Sequence, residues 1–161
     1  MRPGYQRAAA LGEVARRARE LPARTMIFDI EPLIASWDSG QQSLDQGIAL
    51  VLSEVAAVPG VQVVCFSTNS LRRPSAVPSA AGVRVVYLAA AGKPLRTAAY
   101  RDFPRPGMVI GDQVATDGIL ARRLGYAFVQ YDNPQDRVPA GPRLMGACGR
   151  LLRPLLFTRA G

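Results

Sequence analysis

The segment Pro59–Ser70, PGVQVVCFSTNS, combines a helix stop, an apolar strand and a polar strand end. Pro59 and Gly60 end a helical pattern that begins at Gln41, because neither residue continues a helix well. The near-continuous apolar run Val61–Phe66 is typical of a parallel strand that is covered by helices on both faces. The succession of helix, buried strand and polar loop therefore indicates an α/β fold.

The same succession recurs along the chain. Helical patterns at Gln41–Val58, Pro94–Asp102 and Gln113–Leu124 alternate with apolar runs, and Gly125 is placed to cap the last helix. This alternation predicts a doubly wound, mostly parallel sheet of five strands. The predicted strands are Thr25–Ile30, Val61–Phe66, Val83–Leu88, Gly107–Gly111 and Tyr126–Tyr131.

The N-terminal residues are basic and show a weaker pattern. Residues 1–22 predict a basic helix in which Leu11, Val14 and Ala18 form an apolar stripe. The chain has no internal repeat, and its length suits one domain. We therefore predict a single domain over the whole chain, with its core at residues 25–133.

The C-terminal segment, residues 142–161, is also basic. Its helical pattern covers Arg143–Phe157, and we expect the leucines of this helix to pack onto the sheet. A helix that binds a membrane surface is the alternative. The leucines are Leu144, Leu151, Leu152 and Leu155.

Composition narrows the chemistry that this protein can perform. The 161 residues carry a formal net charge of +8 and no histidine, which excludes histidine bases, histidine metal ligands and Ser-His-Asp triads. Lys93 is the only lysine, since every other basic residue is arginine. A strong positive charge favours acidic partners such as phosphorylated compounds, anionic lipids or nucleic acids.

The cysteines and the hydropathy pattern bear on cellular location. Cys65 and Cys148 cannot build a disulfide framework, and Cys65 lies in an apolar run, as a small hydrophobic residue would. No apolar run approaches the roughly 20 residues of a membrane span, and the N-terminal residues lack the apolar region of a secretory signal. We therefore expect a cytoplasmic protein.

Polar side chains follow the predicted strands at the points where the strands end. Because the carboxyl ends of parallel strands meet at one edge of a sheet, we expect these side chains to lie close together. Carboxylates suit Mg²⁺, which binds hard oxygen ligands, and a hydroxyl and an ammonium group can hold phosphoryl oxygens. The pattern therefore indicates phosphate chemistry. These residues are Asp29, Glu31, Ser67, Thr68, Asn69, Lys93, Asp112 and Asp117.

Each of these residues also has a simpler interpretation. Asp29, Asp112 and the hydroxyl residues after Phe66 could cap helices or form turns, and Lys93 could be a solvated loop lysine. Three better-known site types are excluded or disfavoured. The chain lacks the G-x-x-x-x-G-K-[ST] motif of a P-loop and the G-x-G-x-x-G motif of a dinucleotide site, and Lys93 precedes Asp112, the reverse of the order in response-regulator receivers.

Four stretches resemble the motifs of the haloacid dehalogenase (HAD) superfamily of phosphatases. They are FDIEPLIASWD (Phe28–Asp38), VVCFSTNS (Val63–Ser70), AGKP (Ala91–Pro94) and GDQVATDGILARRLGY (Gly111–Tyr126). The WD pair after the first motif and the GDQ-x-x-TD run followed by RLGY are similar to the YqeG-type, subfamily IIIA phosphatases. The resemblance covers about residues 25–133 and implies a capless, HAD-like Rossmannoid domain.

The resemblance implies a Mg²⁺-dependent phosphomonoester hydrolase. Asp29 would be the nucleophile that forms an aspartyl phosphate, and Glu31 would protonate the leaving oxygen and later activate water. The implied phosphate-binding residues are Ser67, Thr68, Asn69 and Lys93. The implied metal ligands are Asp29, Glu31 (through its backbone carbonyl), Asp112 and Asp117.

The resemblance also implies what the substrate is like. Capless members are usually open to macromolecular or bulky substrates, and some relatives of this branch dephosphorylate phosphatidylglycerophosphate. A bulky phosphorylated substrate, including a lipid head group, and peripheral contact with the membrane are therefore expected. The scattered arginines, without an aromatic-interleaved basic platform, disfavour the alternative of a nucleic-acid-binding module.

The first motif departs from the family pattern D-x-D-x-[TV]. Glu31 keeps a carboxyl group but moves it by one methylene, Pro32 stiffens the loop, and Leu33 replaces a small or hydroxylated residue. A misplaced group can cost about 10²-fold in rate, and general acid–base catalysis is worth about 10²–10⁴-fold. We therefore expect slow or specialised chemistry, with a catalytically silent HAD-fold protein that binds a phosphorylated ligand or partner as the alternative.

Overall fold

A single parallel sheet runs through the protein. The computed structural model describes residues 4–8, 11–55, 58–131, 148–149, 151, 153–154 and 156–159. The strands are β1 (Gly4–Ala8), β2 (Thr25–Asp29), β3 (Val63–Ser67), β4 (Arg84–Leu88), β5 (Gly107–Gly111), β6 (Ala127–Tyr131) and the two-residue β7 (Thr158–Arg159). Their order across the sheet is β4-β3-β2-β5-β6-β1-β7, and every neighbouring pair is parallel.

Helices cover both faces of this sheet. The helices are α1 (Leu11–Glu20), α2 (Gln41–Val55) and α3 (Ile119–Leu124). On one face, α1 and α2 pack against side chains such as Phe28 and Phe66 in one hydrophobic core. On the other face, α3 and Phe157 pack against side chains such as Phe128 in a second core. The predicted doubly wound α/β architecture is confirmed.

The helix α2 shows why the sequence pattern was informative. It begins at Gln41 as predicted, and its apolar residues at three- and four-residue spacings are all buried. They are Leu44, Ile48, Val51, Leu52 and Val55. Gly125, with φ of 69°, caps α3 in the left-handed conformation that glycine adopts without steric cost.

The strand order reverses next to β2, and this reversal places the site. From β2 the chain builds β3 and β4 on one side, and it then crosses to build β5 and β6 on the other side. The carboxyl ends of β2 and β5 therefore form a topological switch point, where ligands bind in open α/β sheets. The predicted polar strand ends meet at this edge.

The N-terminal prediction was wrong in part. Only Leu11–Glu20 is helical, whereas Gly4–Ala8 forms β1 and pairs in parallel with β6 from Tyr5 opposite Phe128 to Ala8 opposite Tyr131. Tyr5 and Ala8 are buried. This strand is stabilised by a partner more than a hundred residues away, so no local pattern could indicate it.

The strand count and two helices also differ from the predictions. Among the described residues, the sheet has seven strands rather than the predicted five, because β1 and β7 extend it beyond β6. The predicted helix Pro94–Asp102 is reduced to a 3₁₀ turn at Ala98–Tyr100. The predicted helix Gln113–Leu124 is a π-helical turn at Val114–Gly118 that leads into α3.

Among the residues described, no helix combines the length and the apolar character that crossing a membrane requires.

The described C-terminal residues pack on the sheet through Phe157 rather than through Leu151. Leu151 is 78% exposed, so its predicted packing onto the sheet was wrong. Phe157 provides the contact instead, since its ring stacks on Phe128 at a centroid distance of 5.5 Å. Residues 132–147 and the side chains of Leu144, Leu152 and Leu155 lie outside the described part of the chain.

Candidate active site

A buried lysine joins two carboxylates at the switch point. Asp29 ends β2, and its Oδ1 accepts a hydrogen bond of 2.7 Å from the Lys93 ammonium group and one of 2.9 Å from the Ile30 amide. The same ammonium group donates to Asp117 Oδ1 at 2.7 Å. The Lys93 side chain is 2% exposed and Asp117 is fully buried, so these contacts are shielded from water.

Asp112 brings a third carboxylate to this group. One oxygen from each of Asp29, Asp112 and Asp117 can be chosen so that all three lie within 4.8 Å of one another. Burial, and after it the nearby Asp117, raise the pKa of Asp112 to about 7. Burial and then Asp117 also hold the pKa of Asp29 well above its usual range, although Lys93 opposes them. When all three carboxylates are ionised, they outnumber the single ammonium group and leave an excess of negative charge.

The charge on Lys93 is itself well stabilised. Burial alone would lower the pKa of this amine, but Asp117 and Asp29 raise it above its ordinary value. A lysine that stays protonated in a water-poor cleft is a strong fixed charge for a phosphoryl group.

Asn69 fixes the backbone on which Lys93 stands. Its side-chain amide donates to the Lys93 carbonyl at 2.9 Å, and its Oδ1 accepts from the Lys93 amide at 2.8 Å. Arg123 donates to the Pro94 and Leu95 carbonyls at 2.7 and 2.8 Å. The loop after β4 is therefore held from two sides.

Glu31 lies at the same edge of the sheet, but its carboxylate bonds to partners other than Lys93. Its Oε2 accepts from the Thr68 hydroxyl at 2.6 Å, and its Oε1 accepts from the Ser70 hydroxyl at 3.1 Å. Arg72 lies 3.6 Å from Oε1. Both carboxylate oxygens are thus engaged, and the Glu31 side chain does not belong to the carboxylate group around Lys93.

Ser67 is not brought into the cleft. Its hydroxyl is fully buried and shares a 2.7 Å hydrogen bond with the hydroxyl of Tyr100. Burial raises the pKa of Tyr100 to about 12, so this phenol remains protonated at neutral pH. Only the Ser67 carbonyl faces Lys93, at 3.3 Å from the ammonium group.

Asp29, Glu31 and Lys93 line a cleft of about 360 Å³. Of the residues predicted from the strand ends, the cleft exposes five, whereas Ser67, Asp112 and Asp117 do not line it. The lining residues are Asp29, Glu31, Trp37, Thr68, Asn69, Ser70, Lys93, Pro94, Gln113 and Thr116. The cleft therefore holds an ammonium group, two carboxylates and several hydroxyl and amide groups, which suits a small anion.

Several residues of the site were not among the eight predicted ones, and they include a tryptophan, an arginine and a tyrosine. Trp37 lines the cleft, Arg72 contacts Glu31, and Tyr100 contacts Ser67. The only tryptophan of the chain, placed shortly after the first acidic strand end, was a signal that sequence reasoning could have used for Trp37. Arg72 is one arginine among many, and Ser67, the partner of Tyr100, is distant in sequence. No local pattern therefore indicated that either residue belongs to the site.

Gly111 allows Asp117 to approach the end of β5. A Cβ atom on this residue would overlap the Asp117 carboxylate. We expect Gly111→Ala to destabilise the fold by about 1–3 kcal/mol and to weaken Mg²⁺ binding, because overpacking displaces Asp117 from Lys93. Urea unfolding with and without Mg²⁺ measures both effects. Gly12→Ala, whose added Cβ meets nothing within 4 Å, is the control, and an equal loss in this variant would contradict the prediction.

Comparisons with known proteins add no assignment for this site. The chain matches no protein-family model, and no curated protein sequence matches it either.

Proposed function

We propose that this protein is a Mg²⁺-dependent phosphomonoester hydrolase of the HAD type that acts through an aspartyl phosphate on Asp29. One observation carries the proposal. The Lys93 ammonium group bonds to both Asp29 and Asp117 at 2.7 Å, at the carboxyl edge of the sheet and beside the carboxylate of Asp112. An ammonium group and a carboxylate nucleophile at one end of a cleft are what transfer of a phosphoryl group to a carboxylate needs.

The acidic residues fit a hard divalent cation. Asp112 Oδ1 is buried and has no hydrogen-bond partner among the described residues, which is an expensive arrangement unless a cation compensates it. Asp29, Asp112 and Asp117 would hold Mg²⁺ through carboxylate oxygens. When bound, Mg²⁺ would offset the repulsion between the nucleophile and an anionic substrate.

The protein groups have separate parts in this reaction. Within the described residues, Asp29 Oδ2 accepts no hydrogen bond, so it is the oxygen free to attack phosphorus while Oδ1 is held by Lys93 and Ile30. The bond from phosphorus to the ester oxygen breaks, and the departing alcohol takes a proton from the Glu31 carboxyl group. A water that returns its proton to Glu31 then attacks phosphorus, which releases inorganic phosphate and restores Asp29.

Glu31 also supports a second candidate function. A carboxyl group that transfers protons needs an accessible oxygen, but both oxygens of Glu31 accept hydrogen bonds from Thr68 and Ser70. If Glu31 cannot leave these partners, the protein would bind a phosphorylated ligand or partner without hydrolysing it. This is the pseudophosphatase alternative.

Hydrolysis of p-nitrophenyl phosphate separates the two functions. We expect slow Mg²⁺-dependent turnover by the wild type and an increase of up to about 10²-fold in Glu31→Asp, because the shorter side chain withdraws from Thr68 and moves toward the position of the usual aspartate. Glu54→Asp, an exposed change on α2, is the matched control. A silent wild type with an active Glu31→Asp would establish the pseudophosphatase. Silence in both would overturn the catalytic proposal.

Metal binding gives a prediction that does not depend on turnover. We expect saturating Mg²⁺, at about 100 times its Kd, to stabilise the wild type by about 2.7 kcal/mol, or roughly 5–10 °C in Tm for a chain of this size. Asp112→Asn should remove this response while remaining at least as stable without Mg²⁺, because it removes a carboxylate whose charge the site disfavours. Thermal unfolding monitored by circular dichroism measures both variants. An exposed change, Asp102→Asn, should respond like the wild type.

The proposal extends to the substrate and to the location of the protein. The connections at residues 30–40 and 68–83, which follow β2 and β3 and are fully described, contain turns and one isolated bridge but no helix. This supports a capless enzyme with a cleft that bulky phosphorylated substrates, such as a lipid head group, can reach. Cytoplasmic location and peripheral membrane contact belong to the same proposal.

A further inference from the structure

Trp37 is an aromatic side chain that belongs to the cleft rather than to the interior. It lines the same cleft as Asp29 and Lys93 and is only half-buried. Its indole is a member of neither hydrophobic core among the described residues. A large aromatic ring that packs into no core and borders an anion-binding cleft is positioned to contact a ligand.

The turn that carries Trp37 is fixed by Arg72. The guanidinium group of Arg72 donates to the Ser36 carbonyl at 3.0 Å and to the Ser39 carbonyl at 2.9 Å, on either side of Trp37. It also donates to the Ser39 hydroxyl at 3.2 Å. The turn is closed from within, since the Ser39 amide and hydroxyl both donate to the Ser36 carbonyl, at 3.1 and 2.8 Å.

Arg72 is in turn held by the sheet side of the cleft. Its carbonyl accepts a 3.0 Å hydrogen bond from the Tyr87 hydroxyl, and its amide donates to the Ser70 hydroxyl at 3.3 Å. The position of the indole is therefore coupled through Arg72 to β4 and to the residues that hold Glu31. Such pre-organisation lowers the entropy that a ligand contact loses on binding.

The remaining lining residues indicate what this ring contacts. Among the described residues that line the cleft, Trp37 and Pro94 are the only apolar ones, and Trp37 is the only aromatic one. The charged groups Asp29 and Lys93 occupy the phosphate end. A substrate whose phosphate lies at Lys93 would therefore find its apolar contacts in the cleft at Trp37 and Pro94, and the indole favours a planar aromatic ring.

We propose that Trp37 is a specificity-determining residue that packs on the leaving group, that Arg72 is its positioning residue, and that the substrate is a phosphomonoester whose leaving group carries an aromatic ring. This inference rests on the proposed function and narrows its substrate class. Of the bulky substrates proposed above, it selects aromatic esters and excludes the glycerol type of ester found in lipid head groups.

The kinetic test compares two esters in each variant. The ratio of kcat/KM for p-nitrophenyl phosphate to kcat/KM for glycerol 2-phosphate cancels effects that act equally on both esters, such as a smaller fraction of folded enzyme. A disturbed Glu31 would raise this ratio rather than lower it, because the glycerol oxygen needs a proton from Glu31 more than p-nitrophenolate does. We expect this ratio to fall about 3- to 10-fold in Trp37→Leu, since an aromatic pair is worth that much in affinity. Arg72→Gln should lower the ratio in the same direction, and Trp37→Phe should restore most of it.

The control variant is Leu71→Ala, whose side chain is 82% exposed and does not line the cleft. This variant should keep the wild-type ratio. An unchanged ratio in Trp37→Leu, or an equal fall in Leu71→Ala, would overturn the inference. A sugar phosphate that is preferred to the aryl ester, with a preference that Trp37→Leu removes, would assign the indole to a sugar face and overturn the aromatic assignment.

A binding test keeps this inference separate from hydrolysis. Phenylphosphonate and methylphosphonate carry the same anionic group, cannot be hydrolysed, and differ in the ring. With Mg²⁺ present, we expect phenylphosphonate to bind about 3- to 10-fold more tightly and to change the fluorescence of the single tryptophan. A wild type without turnover that shows this difference would refute the hydrolase and leave the Trp37 contact standing. Equal affinities for the two phosphonates in an active enzyme would refute the contact alone.

Discussion

Asp29→Asn is expected to abolish hydrolysis of p-nitrophenyl phosphate, with a loss on the order of 10³-fold or more. The amide cannot attack phosphorus, whereas Asp29 Oδ2 accepts no hydrogen bond from the described residues and is free to do so. The fold should survive, since asparagine has the same shape and removes a carboxylate that burial disfavours. Steady-state rates, with circular dichroism to verify folding, measure the effect.

The same variant also tests the covalent intermediate. Acid quenching of the wild type during turnover should trap a phosphoryl group on the peptide that contains Asp29, and mass spectrometry should find none in Asp29→Asn. Asp102→Asn, an exposed acidic residue outside the cleft, is the control and should keep both the rate and the trapped phosphoryl group. Turnover by Asp29→Asn at the wild-type rate would contradict the assigned nucleophile.

Lys93→Met is expected to cause the largest loss of stability, about 3–5 kcal/mol, or roughly 10 °C in Tm. The methionine side chain fills the space of the lysine stem but leaves Asp29 and Asp117 without the ammonium group that bonds to both at 2.7 Å. Removing one partner of a buried ion pair lowers the free energy of unfolding far more than replacing the whole pair by apolar residues, because the remaining charges stay desolvated. Urea unfolding in the presence of a chelator isolates this effect from Mg²⁺ binding.

Arg96→Met supplies the matched comparison for the lysine. Arg96 lies in the same loop but is exposed, so we expect its substitution to change stability by no more than about 0.5 kcal/mol. If Lys93→Met and Arg96→Met lost similar amounts of stability, the contribution of Lys93 would be no larger than that of an exposed charge, and the prediction would be wrong. Hydrolysis should fall in Lys93→Met as well, because the ammonium group is the fixed positive charge at the phosphate end of the cleft.

The strands and helices with strong local patterns could be predicted from the sequence. The apolar run at Val61–Phe66 became β3, shifted to Val63–Ser67, and the periodic residues of α2 are buried as expected. The helix after β5 was predicted less well, because its first turn is π-helical between Val114 and Gly118. Backbone details of this kind depend on the packing of Gly118 against Phe157 and Phe128, of which Phe157 is distant in the chain.

The amino-acid sequence by itself determined the fold class and the edge of the sheet at which the polar residues gather, because buried parallel strands and periodic helices are encoded locally. Only the tertiary structure decided which of those residues share the cleft. It turned the Ser67 hydroxyl to Tyr100, tied Glu31 to Thr68, and brought Trp37 to the cleft through Arg72. Side-chain directions depend on partners that are distant in sequence and therefore leave no periodic signal. For the same reason β1, which is completed by β6, was visible only in the folded chain.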